Sequence, residues 1–255
     1  MLRVRVIPCL LLRNGGLVKT IKFGAATYVG DPINAVRIFN EKEVDELVFL
    51  DIGASPERGP NFSLLADIAS EAFMPFAYGG GIASIDHVKR LFGLGVEKVV
   101  MNTAAWSNAS LISQAAALAG SSSVVVSIDV RVNWRGKYTV HVQGGKTDTM
   151  RDPVEYALNM QQIGAGEILL NAIHKDGTME GYDLELVRRV AAAVTIPVVA
   201  VGGAGRLAHF RDAVANGASA VAAGSFFVFH GKHKAVLITY PSYAELEQVL
   251  GSSED

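Results

Sequence analysis

Two stretches of this chain repeat each other, and the repeat constrains the fold more than any other feature. Segment 76–82 (Phe-Ala-Tyr-Gly-Gly-Gly-Ile) returns about 122 residues later as 198–205 (Val-Val-Ala-Val-Gly-Gly-Ala-Gly). Each begins as an apolar run behind a proline, Pro75 or Pro197, breaks into glycines and continues as a helical pattern. Gly80 falls on Gly202 and Gly81 on Gly203. A second apolar run follows each copy and ends in small polar residues, Asn102 and Thr103 in one, Gly224 and Ser225 in the other. A strand that breaks into glycines ahead of a helix suits an anion, because backbone N–H groups can approach it and the helix dipole favours negative charge. Tight turns alone do not require the small polar residues to recur as well. Two homologous halves of four βα units explain both.

The rest of the chain fits that count. Apolar runs lie at residues 4–12, 46–52, 76–78, 98–101, 123–129, 167–170, 197–201 and 218–223. Helical patterns occupy 32–41, 61–72, 84–92, 108–118, 153–162, 183–193, 207–215 and 243–250. Near-continuous hydrophobic strands belong in a parallel sheet buried on both faces. The expected fold is α/β, a single (β/α)8 TIM barrel of two homologous half-barrels, with residues 1–255 as one domain. A polar connection, 13–28, is long enough to be functional, and 134–142, around Gly136, reads as a hairpin inserted after strand five.

With 255 residues, 50% of them hydrophobic, the chain can fill such a core. Its net charge of −2 argues against a general nucleic-acid or acidic-membrane surface. The single cysteine, Cys9, excludes an intrachain disulfide and fits a reducing compartment; its apolar run places it in the core. The N-terminus lacks a signal-peptide pattern, and no segment has the uninterrupted apolar length of a membrane span. The expectation is a soluble, cytoplasmic chain with no metal and no cofactor.

Such barrels carry their active sites at the C-terminal ends of the strands. There Asp51 ends strand two, Asp129 ends strand five and Asp176 lies just past strand six. Gly81, Asn102 and Thr103 on one side, with Gly202, Gly203, Gly224 and Ser225 on the other, make two phosphate pockets across one mouth. They imply a substrate with a phosphate at each end. The repeat maps Asp129 onto Leu11, so a twofold pair of acid–base carboxylates lacks one member. Asp129 alone reads equally well as a catalytic group or as a carboxylate capping nearby backbone N–H groups. At the opposite face, Arg5, Glu46, Lys98 and Glu167 start strands one, two, four and six. Two charges of each sign there can close a salt-bridge ring, which from the residues alone is a structural plug.

Segments 9–10, 16–19, 45–51, 79–82, 102–105, 124–129, 164–170, 176–178, 181–183 and 202–205 closely resemble HisF, the cyclase subunit of imidazole glycerol phosphate synthase. The resemblance runs from about residue 3 to 227. It implies a HisH-like glutaminase docked on the N-terminal face, ammonia passing through the barrel, and a bis-phosphorylated ribulosyl substrate at the C-terminal face. Two strand-end aspartates act there as acid and base. Asp129 matches one of them and Leu11 stands where the other would be. Lys19, implied as catalytic, and the substrate-loop residues Asp51 and Asp176 match, as do the phosphate-site residues. His174 replaces an acid of the family loop and Val201 its serine. Arg5, Glu46, Lys98 and Glu167 match the family's ammonia gate at all four positions. Segments 10–23 and 231–241 look like the HisF-like branch called WbuZ, associated with surface-polysaccharide gene clusters. That likeness implies ammonia supplied to a separate sugar amidotransferase, which makes an acetamidino sugar for lipopolysaccharide O-antigen. Three readings follow: an ammonia-conducting barrel of that kind, a histidine-biosynthesis cyclase, or a scaffold that stimulates the glutaminase.

Overall fold

Strand β1 (Arg5–Arg13) threads the middle of the sheet and is followed by two short strands, β2 (Gly16–Lys19) and β3 (Thr27–Gly30). Then come α1 (Pro32–Glu41), β4 (Leu47–Asp51), α2 (Phe62–Glu71), β5 (Phe76–Gly79), α3 (Ile85–Gly93), β6 (Lys98–Met101), α4 (Thr103–Ser107) and α5 (Ser110–Ala119). The second half holds β7 (Val124–Val132), β8 (Tyr138–Val142), β9 (Thr147–Asp148), α6 (Pro153–Ile163), β10 (Glu167–Ala172), α7 (Leu184–Ala191), β11 (Val198–Val201), α8 (Leu207–Ala215) and β12 (Ala220–Ala223). The chain finishes with α9 (Ser225–Val228), β13 (Phe229–His230), β14 (Ala235–Val236) and α10 (Tyr243–Leu250). This computed structural model describes residues 4–231 and 233–251. Lys232 of the tail segment and the outermost residues of the expected domain lie outside the described residues.

Parallel pairing runs β1, β4, β5, β6, β7, β10, β11, β12 and back to β1, so eight strands close a barrel. Side chains alternate across each strand and sort into two cores. Ile7, Cys9, Val48, Ala77, Val100 and Leu169 fill the interior. Val6, Phe49, Phe76 and Val99 point outward into a larger layer against Phe39, Ile68, Val88 and Leu111 of the helices. Polar caps fix where the helices begin: Asp31, Asn61, Ser84, Asp152, Asp183 and Ser242 each accept a hydrogen bond from a first-turn N–H.

Three expectations change. Residues 13–28 are not a plain connection. Past the barrel rim β1 pairs antiparallel with β2, Leu11 opposite Val18, and β2 pairs with β3. Asn14 and Gly15 make the turn with φ of +53° and +79°, the conformation that an Asn-Gly hairpin demands. The hairpin of the second half exists, but its first arm is the extension of β7 to Val132; Trp134 sits in the turn, 86% exposed. Asp129 and Leu11 therefore lie within overshooting strands rather than at strand ends. Finally, Thr103 and Ser225 open two short helices, α4 and α9, at equivalent places in the two halves.

Candidate active site and charged ring

The C-terminal ends of the strands enclose a cavity of about 600 Å³. Both glycine turns line it, together with Leu11, Lys19, Asp51, Asp129 and Asp176. The glycine-turn residues and the three aspartates assigned to the mouth from the sequence are thus gathered at one site.

The turns need glycine on two counts. Gly80, Gly81, Gly202 and Gly203 have φ of +128°, +66°, +92° and +111°. A Cβ on Gly80 would also lie 2.5 Å from Asp51 O, and one on Gly203 2.2 Å from Gly181 O. Beyond the turns the halves diverge. In the first, Asn102 Nδ2 donates to Ser127 O at 3.0 Å and Thr103 Oγ1 accepts from Gln143 N at 3.0 Å. In the second, Gly224 replaces Asn102, and the Lys19 ammonium fills the space; a Cβ there would fall 1.8 Å from Nζ. The second pocket therefore carries a buried positive charge close to its glycines.

Asp129 is buried, and its pKa is pushed up to about 7 by burial and then by the nearby Asp176 carboxylate. The Ser127 and Asn171 side chains bond to it and pull the other way. A carboxyl titrating near neutrality can both take and give a proton. Burial raises Asp176 as well, against Lys19 and a 3.1 Å bond from Thr20 Oγ1. Asp51 plays a different part. Its Oδ1 accepts from Gly53 N and Ala54 N at 2.9 and 3.0 Å, which shapes the loop behind the first glycine turn. Leu11 pairs with Leu50 and Val18, so no carboxylate stands at that position of the mouth. Burial pushes the Cys9 thiol up to about 11, in keeping with an inert core residue. His174 lies outside the cavity lining, its Nε2 3.1 Å from Asp183 Oδ2, whereas Val201 lines it.

At the other end of the barrel the four strand-start charges close a ring. Arg5 bonds Glu46 through Nη1 and Glu167 Oε2 through Nη2, the latter at 2.5 Å. Lys98 Nζ completes it at 3.0 Å from Glu46 Oε1 and 3.3 Å from Glu167 Oε1. Each carboxylate thus meets both cations, and both are nearly shielded from solvent. Between ring and mouth the interior is apolar.

Known proteins are similar to this chain in sequence. The family model for the histidine biosynthesis protein matches residues 5–234. The chain belongs to that family. It is HisF-like: 53% identical over 249 residues, 97% of this chain and 99% of the relative, to a Pseudomonas aeruginosa protein provisionally named imidazole glycerol phosphate synthase subunit hisF2. A Leptospira borgpetersenii protein, provisionally named HisF subunit of the same synthase, is 46% identical over 97% of this chain and 98% of its own. The Streptomyces avermitilis imidazole glycerol phosphate synthase subunit HisF is 43% identical over 89% and 91%.

Two residues of this HisF-like chain escaped the sequence reading although the repeat pointed to them. His87 and His209, 122 residues apart, each hold the backbone just past a glycine turn. Among the described residues no group of three or more His, Cys, Asp or Glu is placed to hold a metal ion, and no helix is long and apolar enough to cross a membrane.

Proposed function

We propose that this chain is the ammonia-accepting barrel of a glutamine amidotransferase complex. Ammonia released by a separate, HisH-like glutaminase enters at the N-terminal face through the ring of Arg5, Glu46, Lys98 and Glu167. The closed ring supports this reading because its four residues are those that match the family's ammonia gate, and each carboxylate keeps a second cation if one moves away, so the ring can open without stranding a buried charge. The apolar interior supports it too, since neutral ammonia crosses apolar surroundings at far lower cost than ammonium. At the mouth, Gly81, Asn102 and Thr103 bind one phosphate; Gly202, Gly203, Gly224 and Ser225, aided by Lys19, bind another. Where the barrel still acts on a substrate of its own, Asp129 is the proton-transfer group and Asp51 and Asp176 frame that substrate.

Leu11 decides between two versions of this role. A cyclase of histidine biosynthesis calls for an acid on each side of the mouth, and this barrel has one. We favour delivery of ammonia to a separate sugar amidotransferase, for an acetamidino sugar of a surface polysaccharide, over cyclisation in this chain. The test is to mix the barrel with its glutaminase, supply glutamine and the ribulosyl bis-phosphate, and follow cyclised product. Little product is expected, with ammonia still released; turnover like that of a two-aspartate HisF overturns the preference. Coupling that survives both Arg5→Ala and Lys98→Ala overturns the gate.

A further inference from the structure

The repeat at the mouth reaches deeper than its glycines. Gly59, Gly81, Ala83 and His87 of the first half each have a counterpart 122 residues on: Gly181, Gly203, Gly205 and His209. Both sets build one device. Ala83 N donates to His87 Nδ1 at 3.3 Å, and Gly205 N donates to His209 Nδ1 at 3.1 Å. Each ring sits in the first turn of the helix behind the turn, α3 or α8, and reaches back to the backbone that leads into that helix. Each ring also lies under the glycine of the preceding loop. A Cβ on Gly59 would be 3.0 Å from His87 Cε1, and one on Gly181 would be 3.6 Å from His209 Nε2. Those loop glycines lie in turn against the turn glycines: a Cβ on Gly81 would be 2.8 Å from Gly59 O, and one on Gly203 2.2 Å from Gly181 O. Gly181 N also donates to Gly203 O at 2.7 Å.

We propose that His87 and His209 are a duplicated pair of positioning residues that hold the two glycine turns in their anion-binding shape. The inference rests on the phosphate-pocket reading above. The physical argument is one of preorganisation. A glycine turn is the least restrained backbone in a protein, so an open turn must lose conformational freedom when it closes on an anion. An imidazole that anchors the exit of the turn and underlies its neighbouring glycine removes that freedom beforehand. Nδ1 must be unprotonated to accept the backbone N–H. At His209 the surroundings favour this: burial first, then the Arg206 guanidinium, whose Nε lies 2.8 Å from Nε2, hold its pKa below the usual histidine range, with Asp212 opposing and Lys175 assisting. A neutral ring accepts at one nitrogen only, so the bond from Gly205 and that from Arg206 are alternatives. His87 meets Ser84 at its own backbone N–H and the edge of the Phe62 ring.

The test uses the full chain with inorganic phosphate as the probe, followed by amide NMR at Thr103 and Ser225 to separate the two pockets. His87→Leu keeps bulk and loses the acceptor; His87→Asn keeps an acceptor near the Nδ1 position. The same pair is made at His209. We expect His87→Leu to weaken the Thr103 pocket by about tenfold and leave the Ser225 pocket within about twofold, His209→Leu to do the reverse, and both Asn variants to recover most of the loss. Loss of both pockets together with thermal stability, or equal binding by Leu and Asn variants, overturns the positioning role. Should a Leu variant fail to fold, the Asn variant and the Ala83 and Gly205 amide shifts decide: shifts unchanged from those of the unmodified chain in the Asn variants, with phosphate bound as tightly, are expected, and amides insensitive to ring replacement overturn the proposal. Gly81→Ala and Gly203→Ala distinguish the underlying reading. If they lower phosphate affinity while the histidine variants do not, the pockets stand and the positioning pair falls. If phosphate shifts neither Thr103 nor Ser225 in the unmodified chain, both fall.

Discussion

The first half of the barrel and the second share a scaffold and differ in chemistry. Each sends its first strand past the rim into a three-stranded antiparallel ribbon, β1–β2–β3 or β7–β8–β9. Each has a glycine turn, a histidine anchoring its exit and a short helix opening on Thr103 or Ser225. At the matched position on the overshooting strands, however, the first half has Leu11 facing Val18 and the second has Asp129 facing His141. In the proposed role the shared parts hold a two-ended anion, and the unshared parts decide where a proton moves. Backbone geometry has been kept twice, proton transfer once.

The largest effect is expected where the halves differ most. Asp129→Asn should lower any product formation that needs proton transfer by roughly 10²–10⁴, whereas Leu11→Asn should change it little. Leu11→Asp tests the same point from the other side: cyclisation of the ribulosyl substrate should rise if the missing carboxylate is the main difference from a cyclase. Equal losses for Asp129→Asn and Leu11→Asn would show that the mouth works as a symmetric vessel.

The glycine turns come next, and here the halves should behave alike in kind and unlike in degree. Alanine at Gly203 meets both a φ of +111° and a contact of 2.2 Å with Gly181 O, so it should destabilise the fold by about 3 kcal/mol. At Gly81 the φ of +66° is one that other residues adopt and the contact is 2.8 Å, so about 1–2 kcal/mol is expected. Denaturation midpoints at constant slope check the order. Reversal of that order would mean that the second turn relaxes more freely than its packing suggests.

A third difference is visible in pH. In the folded chain Asp129 holds its proton up to about pH 7, well above an unfolded aspartate near about 4. The folded state therefore binds the proton more tightly. The stability this group contributes is complete below about pH 4 and is lost as pH rises to about 7, after which the curve is flat with respect to it. Asp129→Asn should remove that slope and, at pH 8, leave the chain more stable by on the order of 2 kcal/mol. A variant both inactive and more stable would mark Asp129 as a residue kept for function. A variant with an unchanged slope would place the titration elsewhere, at Asp176 first.

How much of this was legible beforehand follows the same division. Apolar runs betrayed the eight barrel strands because both faces of each are buried, and the glycine repeat betrayed the half-barrels. The β1–β2 ribbon is hard to read from the sequence although Asn14-Gly15 is a strong hairpin signal, because the strand behind it carries Lys19, a charge that the fold buries beside Gly224. Asp129 was misplaced by a few residues for a related reason: Arg131, Asn133 and Trp134 look like the end of a strand, and only pairing with β8 extends it. His87 and His209 carry no local signal, since a lone histidine on a helix gains meaning only beside its partner at the same offset.

The charged ring gives the comparison its finest test. Its two acids are matched across the halves, each at or just before a strand start, Glu46 by β4 and Glu167 on β10. Its cations both come from the first half, because Ser123 and Ala220 occupy the corresponding places in the second. Each acid bonds both cations, so removing one cation strands neither carboxylate. Lys98→Met should therefore cost only about 1 kcal/mol of stability, and Arg5→Met not much more, because the remaining cation still bridges the acids. The double variant leaves two buried carboxylates facing each other, and its cost should exceed the sum of the singles by about 1 kcal/mol or more. Strict additivity would mean that the four charges act as independent pairs, and a barrel end made of independent pairs is a plug that could lose one bridge at a time without opening.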